Sequence, residues 1–211
     1  MPGRFSLYPD LSVEENLNFF ARIFNTTIQE NYHLIAPIYR QIEPFKKRRA
    51  GKLSGGMKQK LALSCALIHK PAVLLLDEPT TGVDPVSRKE FWEMLHHLKS
   101  EGITIIVSTA YMDEAKLCDR IALIQHGKIL SVETPEQIVR QFPKKLYRTE
   151  IKNNLRLLED LRTNSAVESV FMFGQDLHLT FKDDAPIGLA VEFQPIEPSI
   201  EDCFIYLMRK S

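Results

Sequence analysis

Asp77 and Glu78 close a short apolar run, Val73-Leu74-Leu75-Leu76, and are followed by Pro79. An acid at the carboxyl end of a buried strand stands where ligands sit in open α/β sheets, and it can hold Mg²⁺ through water. A second acid beside it points elsewhere and can orient or deprotonate an attacking water. Upstream, Ser54-Gly55-Gly56 reads as an N-cap and the first turn of a helix. Such a terminus exposes unpaired N–H groups at a positive dipole end, and glycines let a phosphate approach the backbone. Downstream, Asp84-Pro85 reads as an N-cap with an N1 proline. Taken singly, each run has a plainer account: a turn, a solvated acidic loop, a helix cap. The lysine-bearing loop that cradles β- and γ-phosphates is not among these 211 residues. Gly51-Lys52 and Gly127-Lys128 lack the following Ser or Thr and the upstream glycine spacing.

These groups need a scaffold, and the pattern supplies one. Ser12-x-x-Glu15 is a capping box, so a helix starts near Val13. Residues 25–52 are mixed, with Pro37 and Pro44 as breakers and a basic run, Lys46 to Arg49, expected as a solvated loop or helix end. The helix opened by Ser54 carries Leu61, Cys65 and Ile68 on one face and stops before Pro71. Val73–Leu76 is expected to be a parallel strand covered on both faces. The helix opened by Asp84 places Phe91, Leu95 and Leu98 on one stripe and ends at Gly102. Residues 103–107 and 121–124 are expected as further buried strands. Strands alternating with helices predict a parallel α/β sheet.

Thr134-Pro135-Glu136-Gln137 caps another helix, after which the pattern changes. A strand at 146–151, a helix at 155–161, a hairpin turning at Gly174-Gln175-Asp176 and a last helix capped by Ser199 and Asp202 predict a small α+β domain. The expected boundary lies near residue 143.

Composition narrows the classes. The 27 basic and 27 acidic side chains cancel, which gives no general attraction to nucleic acid, and none is expected as a partner. Cys65, Cys118 and Cys203 are odd in number and far apart, which suits a reduced compartment. The six histidines are not metal-spaced, and His96-His97 reads as a polar helix face. No apolar run approaches the roughly 20 residues that span a bilayer, so a membrane role would come through a partner.

In their order, Leu53-Ser54-Gly55-Gly56-Met57-Lys58-Gln59-Lys60, then Val73–Pro79, then Gly82-Val83-Asp84 resemble the signature motif, Walker B strand and D-loop of an ABC-type ATPase. Residues 1–8 are similar to the Q-loop segment of drug- and polysaccharide-exporter ATPases. Residues 108–115 align with the family's switch segment, 121–130 with the strand–turn–strand that closes its core, and 198–205 with a C-terminal helix of the exporter branch.

The resemblance implies a partial P-loop NTPase core with a helical subdomain plus a small α+β C-terminal domain. Residues 1–143 form the ATPase domain from the Q-loop onward (1–70 helical, 71–143 half of the sheet core), and 144–211 form the appendage. It implies ATP and Mg²⁺ in an assembled dimer, with Asp77 on the metal and Glu78 as catalytic base. Ser54, Gly55, Gly56, Gln59 and Asp84 face ATP held by a second nucleotide-binding domain. It further implies an ABC-2-type membrane permease as partner and a place on the cytoplasmic face of the membrane. Two positions depart from the family. Ala110 stands where a histidine hydrogen-bonds the γ-phosphate, and a methyl group cannot do so. Gly3 stands where a glutamine is expected. Because the Walker A phosphate loop is absent from them, the 211 residues alone are expected to be inactive. The functional alternatives are an exporter ATPase subunit (or one domain of a tandem pair), a non-hydrolysing module that lends its signature to a competent partner, and a truncated gene product. A soluble ABC protein of translation or DNA repair fits less well, since no coiled-coil heptads flank the signature.

Overall fold

The computed structural model describes residues 7–151, 155–183 and 191–210. Packing divides the chain into two compact units, residues 1–111 and 112–211.

The first unit begins with helices. Ser12 Oγ accepts the Glu15 N–H at 3.2 Å while the Glu15 carboxylate accepts the Ser12 N–H at 2.7 Å. This capping box opens α1 (Val13–Ile23). Val13, Leu17 and Ala21 point into the core. The wholly buried Asn16 donates to the carbonyls of Tyr8, Leu11 and Ser12 and accepts the Tyr8 N–H, which fixes the approach to the helix.

A second helix, α2 (Ile28–Tyr39), runs where mixed structure was expected, and Pro37 lies inside it. Thr27 and Glu30 form its capping box. Proline removes one helical N–H donor and crowds the preceding turn. Burial of Ile35, Ile38 and Tyr39, with Ile42 just beyond, outweighs that loss. Pro44 sits in a short 3₁₀ turn, Glu43–Phe45. The basic run that follows is exposed, with Arg48 over the Phe45 ring at 4.5 Å and Lys46 3.7 Å from Glu14.

Helix α3 (Gly55–Leu67) is capped by Ser54 and buries Leu61, Leu63, Cys65 and Leu67. Burial pushes the Cys65 thiol up, so it is a packing residue rather than a nucleophile. Strand β1 (Val73–Asp77), helix α4 (Pro85–Ser100) and strand β2 (Thr104–Ser108) follow. Asp84 caps α4, and Gly102, at φ +90°, lets the chain leave it. β1 and β2 are parallel, with Asp77 opposite Ser108.

The expected covering of β1 on both faces does not hold among the described residues. Leu74 and Leu76 are buried, whereas Val73 and Leu75 are 51% and 59% exposed, and Ile106 of β2 is 57% exposed. β2 is likewise only half covered. The strands pair only with each other among the described residues, and helices cover a single side.

In the second unit a short helix α5 (Met112–Ala115) precedes strands β3 (Ile121–Gln125) and β4 (Lys128–Glu133). Among the described residues β3 pairs antiparallel with β4 through the His126-Gly127 turn and joins no parallel sheet. Helix α6 (Pro135–Arg140) has the expected capping box between Thr134 and Gln137. Strand β5 (Leu146–Glu150), helix α7 (Leu155–Thr163), strands β6 (Val167–Phe173), β7 (Asp176–Phe181) and β8 (Gln194–Ile196), and helix α8 (Ile200–Lys210) complete it. The sheet runs in the order β6-β7-β5-β8, all antiparallel. Leu157 and Leu161 of α7 pack on Val170, Leu177, Leu179 and Phe181. A second cluster joins Ile121 and Leu123 of β3 to Ile138 of α6 and to Ile200 and Cys203 of α8. Asp202 accepts from both the Ser199 N–H and hydroxyl, and its other oxygen meets His178 Nδ1 at 2.8 Å. Among the described residues no helix is long and apolar enough to cross a membrane.

Candidate functional site

The sequence-predicted groups of the first unit collect into two clusters. In the first, the Met57 N–H donates to Ser54 Oγ at 3.3 Å, leaving Ser54 and Gly55 exposed at the start of α3. Gly56 is buried, and the start of α4 explains why. A Cβ on Gly56 would lie 2.7 Å from Ser87 Oγ and 3.0 Å from Ser87 Cβ. A Cβ on Gly55 would sit 3.4 Å from the Gly82 carbonyl. Glycine at 56 is thus a packing requirement, while glycine at 55 keeps the exposed backbone open. Gln59 lies one turn on and is buried.

Asp84 completes this cluster. Its Oδ1 accepts the Ser87 N–H at 2.9 Å. Hydrogen bonding from the Ser87 backbone, and then from its side chain, holds the Asp84 carboxyl below the usual range, so it is anionic near neutrality. Lys60 pins the two helices further along, donating to Glu90 Oε2 at 2.7 Å and to Gln41 Oε1.

The second cluster lies at the carboxyl ends of β1 and β2. Ser108 Oγ donates to Asp77 Oδ1 at 2.6 Å. The Glu78 N–H reaches both the Ser108 carbonyl, at 3.0 Å, and its hydroxyl, at 3.2 Å. Glu78 itself has φ +45°, a left-handed backbone that disfavours side chains and turns its carboxylate out of the strand line. There Oε2 accepts the Thr81 hydroxyl at 3.1 Å and the Ala110 N–H at 3.4 Å. The adjacent acids therefore diverge: Asp77 is tied to the neighbouring strand and Glu78 to the segment after it. Arg88 stacks over the Tyr111 ring at 4.3 Å and tethers that segment to α4.

Asp77 is exposed. Its donor chemistry, a single hard carboxylate of which only Oδ1 is engaged by Ser108, suits Mg²⁺ held through water. Gly3 lies outside the described residues. Ser87, Thr81 and Ser108 were not singled out from sequence. Ser108 had a usable signal: it ends the apolar run Ile105–Val107 just as Asp77 ends Leu74–Leu76.

Comparison with known proteins fits this arrangement. A family profile described as ABC transporter matches residues 2–81. The chain is 37% identical to the "Probable multidrug ABC transporter ATP-binding protein YbhF" of Escherichia coli (strain K12), over 99% of this chain and 38% of that protein. It is 42% identical to the "Nod factor export ATP-binding protein I" of Burkholderia orbicola, over 64% of this chain and 45% of that protein. The chain thus spans less than half the length of these curated relatives. A solved ATP binding subunit of an ABC transporter superposes with a TM-score of 0.57 at 29% identity, over 64% of this chain and 58% of that one.

Proposed function

The chain belongs to the ABC transporter ATP-binding protein family, and from that premise we propose that it is the ATP-binding subunit, or half of a tandem one, of an exporter-type system. In this reading it works at the cytoplasmic face of the membrane, beside a second nucleotide-binding domain and an ABC-2-type permease. Residues 1–143 carry the nucleotide chemistry.

Ser54, Gly55, Gly56, Gln59 and Asp84 face ATP held by the partner domain. The observation that carries this is the close packing of the first turn of α3 on the start of α4 and the turn before it: Ser87 against Gly56, and the Gly82 carbonyl against Gly55. It makes the exposed N-terminus of α3 and the turn before α4 one surface. That surface offers N–H donors and a dipole end to a phosphate.

Asp77 would hold Mg²⁺ through water, and the metal, when bound, would neutralise phosphate charge. Glu78 would accept a proton from the attacking water. Its carboxylate is held outward by Thr81 and the Ala110 N–H, which keeps it apart from Asp77. Ala110 supports an asymmetric pair, in which this chain gives its signature to the partner's ATP while the site formed with its own acids is slow.

Gly55→Asp tests the reading. It sets a carboxylate against the γ-phosphate, and like charges a few ångströms apart repel by about 4 kcal/mol at an effective dielectric near 20. ATPase and transport by the assembled complex should fall by more than about a hundredfold. Unchanged rates would mean that this chain does not contribute its signature to a working site.

A further inference from the structure

We propose that Ser108 is the positioning residue for the acid pair, setting both the orientation of Asp77 toward its metal and the backbone turn that aims Glu78. The proposal rests on the assignment of Asp77 to Mg²⁺ above and adds to it a residue in the neighbouring strand. The parallel register places Ser108 directly opposite Asp77. Its hydroxyl donates to Asp77 Oδ1 at 2.6 Å, which leaves the other carboxylate oxygen for a metal-bound water. The same hydroxyl accepts the Glu78 N–H at 3.2 Å, alongside the Ser108 carbonyl at 3.0 Å. One side chain thus fixes the rotation of the first acid and adds a second acceptor to the N–H of the residue that turns at φ +45°. The other residues of β2 from Ile105 to Val107 are apolar and could do neither.

A hydrogen-bonded partner behind a metal-binding carboxylate typically changes metal affinity or activity by about 10–100-fold when removed. The test uses the assembled ATPase that contains this domain, with Mn²⁺ as the spectroscopic probe. Mn²⁺ binding to the nucleotide complex is titrated by electron paramagnetic resonance for the unaltered protein, Ser108→Ala, Ser108→Thr and Asp77→Asn. Ser108→Ala should weaken Mn²⁺ by about 10–100-fold with metal-free nucleotide affinity unchanged. Ser108→Thr, which keeps the hydroxyl, should restore most of it. In turnover, Ser108→Ala should raise the Mg²⁺ half-saturation as well as lower kcat, a split that loosened packing alone would not give. If the alanine variant fails to fold, Ser108→Cys serves, because its weaker donor should give an intermediate Mn²⁺ affinity. Mn²⁺ affinity unchanged by Ser108→Ala or Ser108→Cys, but lost in Asp77→Asn, overturns the role of Ser108 alone. Affinity unchanged in all variants overturns the assignment of Asp77 as well.

Discussion

Ala110 presents only its backbone to Glu78, through an N–H 3.4 Å from Oε2. The position can therefore help hold the proposed base, but it offers no side-chain donor to a phosphate. Loss of one such donor from a site that stabilises developing charge typically costs on the order of 10²–10³ in rate. In an assembled domain, Ala110→His should raise turnover toward that factor, with Gly3→Gln added where the glutamine position is equally limiting. Steady-state ATPase measurements decide it. No gain from the double change would mean that the domain is inactive for another reason. The backbone contact to Glu78 survives the substitution, so a gain would come from the new imidazole and not from moving the acid.

Helices α3 and α4 meet where their first turns have least room. Ser87 Oγ stands 2.7 Å from the position a Cβ would take on Gly56. Gly56→Ala should therefore force the two N-termini apart and destabilise the first unit by about 1–3 kcal/mol, in spite of the better helix propensity of alanine. Ser87→Gly should recover most of that loss in a double-mutant cycle read by chemical denaturation. Additive effects would show that the two residues do not press on one another. Sequence made the local parts of this arrangement legible. Ser54, Asp84, Ser12 and Thr134 were readable as caps because a cap and the N–H it binds lie within three residues. Helix α2 was hidden because Pro37 outweighed the Thr27-x-x-Glu30 box, whose reciprocal bonds are of the same kind. The roles of Ser87 and Thr81 come from a neighbouring helix and a tight turn, and Ser108, although its place at the end of an apolar run was visible, acts through a strand register that no local pattern encodes. Asp77 and Glu78 were found, but the left-handed turn that separates them was not, since its support comes from Ser108 on another strand.

At the scale of the whole molecule the main physical question is the uncovered side of β1 and β2. The unbroken apolar run Val73–Leu76 signals burial but cannot say what covers each face. Leu74 and Leu76 are covered, while Val73, Leu75 and Ile106 are more than half exposed. The register sets Leu75 opposite Ile106, so these side chains form one apolar patch on a two-stranded sheet. Among the described residues no strand other than β1 pairs with β2, which leaves one edge of β2 open. An apolar face beside an open backbone edge favours association. The 211-residue polypeptide, prepared by itself, should self-associate as its concentration rises. Leu75→Thr with Ile106→Thr keeps strand-forming residues while removing most of the patch, and it should shift the chain toward monomer. Light scattering across a concentration series, with thermal unfolding as a control, distinguishes loss of association from loss of fold. A monodisperse, cooperatively unfolding monomer at high concentration would show that the exposed face does not drive assembly and that β1 and β2 are stable with one side bare.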